Sequence, residues 1–132
     1  MLDKLSKSHG IYFYSVFRVL VGLLFIQHGA QKLFGTFGGQ AVPLISKFGL
    51  AGIIELFGGI LIALGFLTRL VALISGLEML VAYFAVHAPL GIFPLVNNGE
   101  LALLFFSAFL VMFAYGAGKW SLEKALLKKE MF

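Results

Sequence analysis

Nine polar side chains interrupt sequence that is otherwise strongly apolar: Arg18, His28, Lys32, Glu55, Glu78, His87, Asn97, Asn98 and Glu100. Glu55, His28 and His87 are the candidates for catalytic proton handling. A histidine beside a buried carboxylate can hold and pass protons, because each group and its burial alter the ionisation of the other. Lys32, Asn97, Asn98 and Glu100 are the candidate binding residues. Together they suit a quinone head group, which needs a donor for each carbonyl oxygen, an acceptor for a proton, and apolar walls. Two histidines with two glutamates could instead bind a metal, since imidazole and carboxylate are ordinary ligands. Histidines from two helices could also ligate a haem as an axial pair. No Glu-x-x-His pair of the di-iron kind is present. Quinone is the preferred cofactor, metal and haem stay open as alternatives, and no residue is assigned as a metal ligand.

These residues need a scaffold, and composition names its solvent. The chain has 132 residues, 61% of them hydrophobic and 12% charged, with a mean hydropathy of +1.01. Soluble domains carry about 25% charged and about 45–50% apolar residues. A chain this short leaves much of its surface exposed and cannot hide such an excess. A soluble monomer is excluded, as are disorder, coiled coil and collagen. The absence of cysteine removes thiol redox chemistry, disulfides, iron–sulfur clusters and thiolate metal sites. The formal charge of +4 does not point to nucleic acid, because four of the ten basic residues (Lys119, Lys124, Lys128, Lys129) simply follow the last apolar segment.

A bilayer core of about 30 Å needs roughly 17–25 apolar residues per helix. Four windows qualify: 11–34, 50–67, 70–87 and 101–118. Their apolar runs are too continuous for barrel strands, which alternate and last about ten residues. The expected fold is all-α, a polytopic membrane four-helix bundle in one domain, with a C-terminal interfacial helix over about 119–132. The basic N-terminus lacks an A-x-A site, so the first apolar run reads as an uncleaved span. Thr68 is placed to cap the third helix, and Asn97 or Asn98 the fourth. Lys4, Lys7, Arg69 and the four C-terminal lysines fall on one side, against Lys47 and Lys32 on the other. The positive-inside rule then puts both termini in the cytoplasm.

A charge inside a span costs about 2.5–3.5 kcal/mol on insertion scales and calls for a partner. Counting 1.5 Å per residue from the cytoplasmic ends puts Arg18 and Glu78 at similar depth, so the simplest account is a structural ion pair between them. Glu55 is the competing partner for Arg18. The remaining polar residues gather near the non-cytoplasmic side: His28 and Lys32 on the first helix, Glu55 on the second, His87 closing the third, and Asn97, Asn98 and Glu100 opening the fourth. Each has a plainer use. His28 and Lys32 could snorkel to headgroups, His87 could bond a loop carbonyl, and Glu100 could form a capping box with Asn97. Glu55 is hardest to dismiss, because it shares a helix face with Gly52, Gly58 and Gly59 and so points into the bundle. Gln27 lies on the opposite face from Arg18, toward another interface, which leaves room for a homo-oligomer.

The assembled residues resemble the DoxX family of small four-span bacterial and archaeal membrane proteins. The resemblance runs from Arg18 to Trp120-Ser121-Leu122. It is carried by His28-Gly29-Ala30-Gln31-Lys32-Leu33-Phe34-Gly35, then Leu50-Ala51-Gly52 leading to Glu55 and Gly58-Gly59. Thr68-Arg69, His87, Pro94 and Asn97-Asn98-Gly99-Glu100-Leu101 continue it. This resemblance implies a four-helix bundle in a bacterial or archaeal inner membrane, associated with redox systems. Relatives are linked to a terminal quinol oxidase, to thiosulfate:quinone oxidoreductase in the DoxD branch, and to anchoring a complex of superoxide dismutase with a sulfurtransferase. It carries over His28, Lys32, Glu55, His87 and Glu100 as candidate site residues, and Arg18 as a structural or proton-linked charge. Glu78 lies outside the family pattern.

The expectation is therefore a membrane subunit of a quinone-linked oxidoreductase system, with its pocket near the non-cytoplasmic face. The alternative is a non-catalytic anchor or assembly factor for peripheral redox or sulfur enzymes. A small-molecule exporter built from several copies is a third reading. The partners expected are the lipid bilayer, peripheral redox enzymes and further copies of the chain, with no nucleic acid.

Overall fold

A computed structural model describes residues 1–132, and it is wholly helical. α1 (Leu2–Phe34), α2 (Lys47–Leu64), α3 (Thr68–Ala82), α4 (Pro94–Asn97), α5 (Glu100–Tyr115) and α6 (Leu122–Leu127) follow in chain order. Helices α1 and α2, and α3 with its extension to Leu90, are long and apolar enough to cross a membrane. α5 is a shorter apolar helix of 16 residues. The chain is a multi-pass helical membrane protein. Its outward faces carry side chains such as Leu20, Leu24, Phe57, Leu73, Leu77, Leu104 and Leu110, all exposed in the isolated chain. Those are the groups that lipid must cover.

Local chemistry sets the helix ends. α1 stops where Gly35 turns left-handed (φ 68°) and gives its N–H to Gln31, a conformation that costs glycine nothing. α2 starts when the Ser46 hydroxyl accepts from the Gly49 N–H at 3.0 Å, and it ends at left-handed Gly65. These two signals place α2 three residues earlier than its apolar window. The expected Thr68 cap does not form. Leu67 is the N-cap, and the buried Thr68 hydroxyl has no partner. Nor does an asparagine cap α5: Gly99 is its N-cap, while Asn97 Oδ1 accepts from the Gly99 N–H.

Antiparallel pairing of α1 and α2 depends on glycine. A Cβ on Gly22 would lie 2.8 Å from the Gly59 carbonyl, and one on Gly29 would lie 2.7 Å from that of Gly52. The two backbones touch, as small residues permit in membrane helix pairs. α3 and α5 form the second pair. Phe25 joins the two pairs, with ring centroids 5.2 Å from Phe105 and 4.9 Å from Phe109. The path runs up α1, down α2, up α3 and down α5. Both termini therefore lie at one end, the terminal end, and the Gly35–Ser46 and Gly91–Gly99 connections lie at the other, the distal end.

The tail differs from the expected interfacial helix over 119–132. Only Leu122–Leu127 is helical, started by the Ser121 hydroxyl and stopped by left-handed Lys128 (φ 62°). The last residues fold back onto the start of α3, where the Phe132 carbonyl accepts from the Leu70 N–H at 3.0 Å and from the Arg69 N–H. Glu130 bonds Arg69 (2.7 Å), Lys124 (2.9 Å) and the Ala117 N–H (2.9 Å). The tail is a clasp closing the terminal end. Its contacts join residues far apart in sequence, which helical spacing cannot reveal.

Candidate functional site

At the distal end, α1 presents His28 and Lys32 one turn apart. They follow the buried stripe of Arg18, Val21, Gly22, Phe25 and Gly29, as a period of 3.6 requires. The His28 ring stands edge-on to Phe105, with centroids 5.6 Å apart and planes at 90°. His28 makes no hydrogen bond within the chain, so its ring nitrogens are free. Lys32 reaches inward to form an ion pair with Glu55 Oε1. Close contact at Gly29 and Gly52 makes this reach short, because it sets Glu55 one helical turn deeper on the facing helix. The Glu55 side chain is only 2% exposed, against 27% for Lys32. The second carboxylate oxygen, Oε2, is buried with no partner.

His87 arrives by a different device. After Ala82 the helix widens into a π turn, Tyr83–His87, and then tightens through Ala88–Leu90. Pro89 has no N–H and its ring crowds the carbonyl four residues back, so regular α-helix cannot pass through it. An i→i+5 turn holds one extra residue. It advances His87 by roughly 100° onto the inner face. His87 Nδ1 lies 3.1 Å from the Asn97 carbonyl. A carbonyl can only accept, so Nδ1 carries the proton there and a neutral ring keeps Nε2 as an acceptor.

These groups surround a cavity of about 220 Å³. α1 contributes Phe25, His28 and Lys32, α2 contributes Glu55, and α3 contributes Met79 and Ala82. His87, Asn98 and the α5 residues Leu101, Ala102 and Phe105 complete it. Drug-sized ligand pockets run from about 300 to 1,000 Å³. This one takes a single ring-sized group, with aromatic and aliphatic surface on its flanks and polar atoms from four segments of chain.

Of the residues singled out in the sequence, His28, Lys32, Glu55, His87 and Asn98 line this cavity. Asn97 is fully buried behind it and is occupied with structure: its amide donates to the Gly91 carbonyl (2.8 Å) and to the Tyr83 hydroxyl (3.4 Å). Glu100 lies outside. It is exposed beside Pro94, Leu103, Leu104 and Ser107, because the chain turns at Asn98 (φ 59°) before α5 begins. The capping box with Asn97 is absent.

The Arg18–Glu78 ion pair is not formed. The buried guanidinium of Arg18 donates instead to the carbonyls of Ile62, Ala63 (2.8 Å), Lys119 (3.2 Å) and Trp120 (3.1 Å). Glu55, its other expected partner, is taken by Lys32. The depth count failed because the ends of α1 and α3 are not level: the start of α1 runs on past the α2–α3 turn. Arg18 then lies opposite Gly65, at the terminal end of α2, well below Glu78. Phe25, Met79 and Phe105 were not anticipated as walls, since nothing in sequence separates them from other core residues. Nowhere do three His, Asp or Glu side chains come together as a metal-binding group, so a metal would lack its protein ligand set.

Residues 13–88 match the DoxX family, and that stretch contains His28, Lys32, Glu55 and His87. The chain belongs to the DoxX family. A relative in Haemophilus influenzae, to which no function is assigned, is 39% identical over 128 residues, covering 89% of this chain and 93% of that protein. A Bacillus subtilis protein, CatD, carries a provisional oxidoreductase name. It is 31% identical over 93 residues, 66% of either chain. No solved structure matches. The DoxX match ends at residue 88, so Asn98 and the α5 wall of the cavity lie beyond it.

Proposed function

We propose that this DoxX protein is an integral membrane subunit of an oxidoreductase system and that its distal cavity receives a quinone head group. One observation carries this reading: a mostly apolar cavity in which titratable side chains from α1, α2 and the π turn converge with free polar atoms. The residues fit the group. Phe25, Phe105 and Met79 cover the faces of a planar ring and exclude water. Lys32 and His28 donate toward carbonyl oxygens, and His87 Nε2 accepts from a hydroxyl. Glu55 holds a proton at Oε2. A bound quinone supplies the two-electron redox chemistry. The oxidoreductase name of the Bacillus subtilis relative supports a redox setting.

The lysine distribution supports termini in the cytoplasm and a cavity opening toward the other side of a bacterial inner membrane. A second reading, an anchor for peripheral redox or sulfur enzymes, is favoured by the ordered clasp, which displays Lys119, Lys124, Lys128 and Lys129 in exposed positions at the terminal end.

The test is an organic extract of protein purified in mild detergent, with titration by a short-chain quinone. The expected result is quinone bound near stoichiometry, and lost in His28→Ala and Glu55→Gln. Equal quinone content in wild type and both variants would overturn the assignment. Folded protein that binds none would leave the anchor reading, and tagged protein should then recover its partner enzyme.

A further inference from the structure

One half-buried acid of the membrane-spanning segments takes no part in that cavity. Glu78 does not line it, although Met79 and Ala82 beside it do. α2 and α3 run antiparallel, and their register is fixed where a Cβ on Gly58 would lie 3.1 Å from Ser75 Oγ. Three residues back along α2 is Glu55, and three residues forward along α3 is Glu78. The two carboxylates therefore occupy one level of neighbouring helices. Glu55 Oε2, Glu78 Oε2 and Ser75 Oγ are all buried, and all three lack a hydrogen-bond partner. Three orphaned atoms in one layer need a common explanation, because buried polar groups are nearly always bonded.

Charge supplies it. The titratable groups around this layer are Lys32 and His28 of α1 and His87 of the π turn, and the facing surface of α5 is apolar (Ala102, Phe105, Phe109). Arg18 is committed to carbonyls at the terminal end. Lys32 is thus the one fixed cation, and it neutralises one carboxylate. A second ionised carboxylate at the same level would be partly buried inside the membrane, unpaired and near a like charge, which is unfavourable. Ionised carboxylates can only accept, whereas a protonated carboxyl donates. One added proton lets one glutamate donate to the orphan oxygen of the other.

We infer that Glu55 and Glu78 form one acid–carboxylate pair, storing a single proton beside the cavity against the charge of Lys32. This rests on the quinone reading for its purpose, but not for its chemistry. The proton leaves the Glu78 carboxyl and arrives on Glu55 Oε2, at the cavity wall. Net charge is conserved, no electrons move, and Glu78 is a proton-positioning residue behind the site.

Infrared difference spectroscopy on the full chain in lipid nanodiscs at neutral pH tests it, through the C=O stretch of protonated carboxylic acid. Glu78→Gln should remove the absorbance of one acid. Glu55→Gln should also remove it, because Glu78 would then ionise toward Lys32. Lys32→Met should add about one acid, since neither carboxylate keeps a counter-ion. Glutamine keeps the shape of the acid, so the first two variants decide the matter even if Lys32→Met does not fold. Unchanged absorbance in Glu78→Gln overturns the pair, and so does loss in Glu78→Gln without loss in Glu55→Gln. Quinone content of the same samples separates the two proposals. The expected band changes without any quinone would refute only the quinone reading, and quinone with an unchanged band would refute only the pair.

Discussion

Arg18 shows how a fully buried cation is held without a carboxylate. Its fork of donors takes carbonyls released at the end of α2 and in the turn before α6, groups that need donors in any case. Hydrogen bonds to charged groups are worth about 1.5–3 kcal/mol each. Arg18→Met should therefore lower unfolding free energy in detergent by at least about 2 kcal/mol, while leaving the distal cavity intact. Arg18→Lys should recover only part of it, because a lysine is a point donor and cannot span carbonyls from two segments. A denaturation midpoint equal to wild type for Arg18→Met would show that these bonds contribute little. The charge was legible in the sequence, as was the need to satisfy it. Its partners were not, because a backbone carbonyl has no residue type by which to be recognised.

At the scale of elements, two devices position the site. The first is the α1–α2 seam, where the two backbones meet at Gly22, Gly29, Gly52 and Gly59. Any Cβ at Gly29 collides with the opposite backbone, which cannot move aside as a side chain could. Gly29→Ala should cost about 1–3 kcal/mol, in the range of overpacking. It should also separate Lys32 from Glu55, so quinone retention should fall together with thermal stability. The second device is the π turn forced by Pro89. Pro89→Ala removes the obstacle, and regular helix can then continue through His87. The expected outcome is a folded protein with His87 rotated off the cavity and weaker quinone binding. Binding equal to wild type in Pro89→Ala would mean that the turn is held by other contacts. Proline in the sequence announced a break in the helix, but not that the break would be a widened turn.

For the whole molecule, the clasp ties the tail to the α2–α3 turn. Burial raises the ionisation point of the Glu130 carboxyl, but hydrogen bonds from Lys124 and the Ala117 N–H, with the charges of Lys124 and Arg69, outweigh it and leave the group below its ordinary value. A carboxylate lowered on folding stabilises the protein fully above its unfolded pKa of about 4.3, and loses that contribution as pH falls through the folded value. Stability at neutral pH should therefore hold down to about pH 4 and decline below it. Glu130→Gln should be less stable at neutral pH and should flatten this acid-side decline. An identical pH profile in the variant would remove Glu130 from the clasp. Reporters fused to either end should both read cytoplasmic if the lysine asymmetry sets orientation; opposite readings would contradict the shared terminal end.

The sequence alone determined the solvent, the all-helical class and the arrangement of apolar segments, because each crossing needs a long apolar run whatever its neighbours do. It also indicated that His28, Lys32, Glu55, His87 and Asn98 would share a level, since a fixed rise per residue turns sequence position into depth. Tertiary structure alone decided which groups touch. It paired Lys32 rather than Arg18 with Glu55, turned Glu100 outward, committed Asn97 to the loop, and brought Glu78 to the level of Glu55. Those outcomes depend on the register between helices and on backbone bonds across long sequence separations. A rule of spacing within one helix carries no information about either.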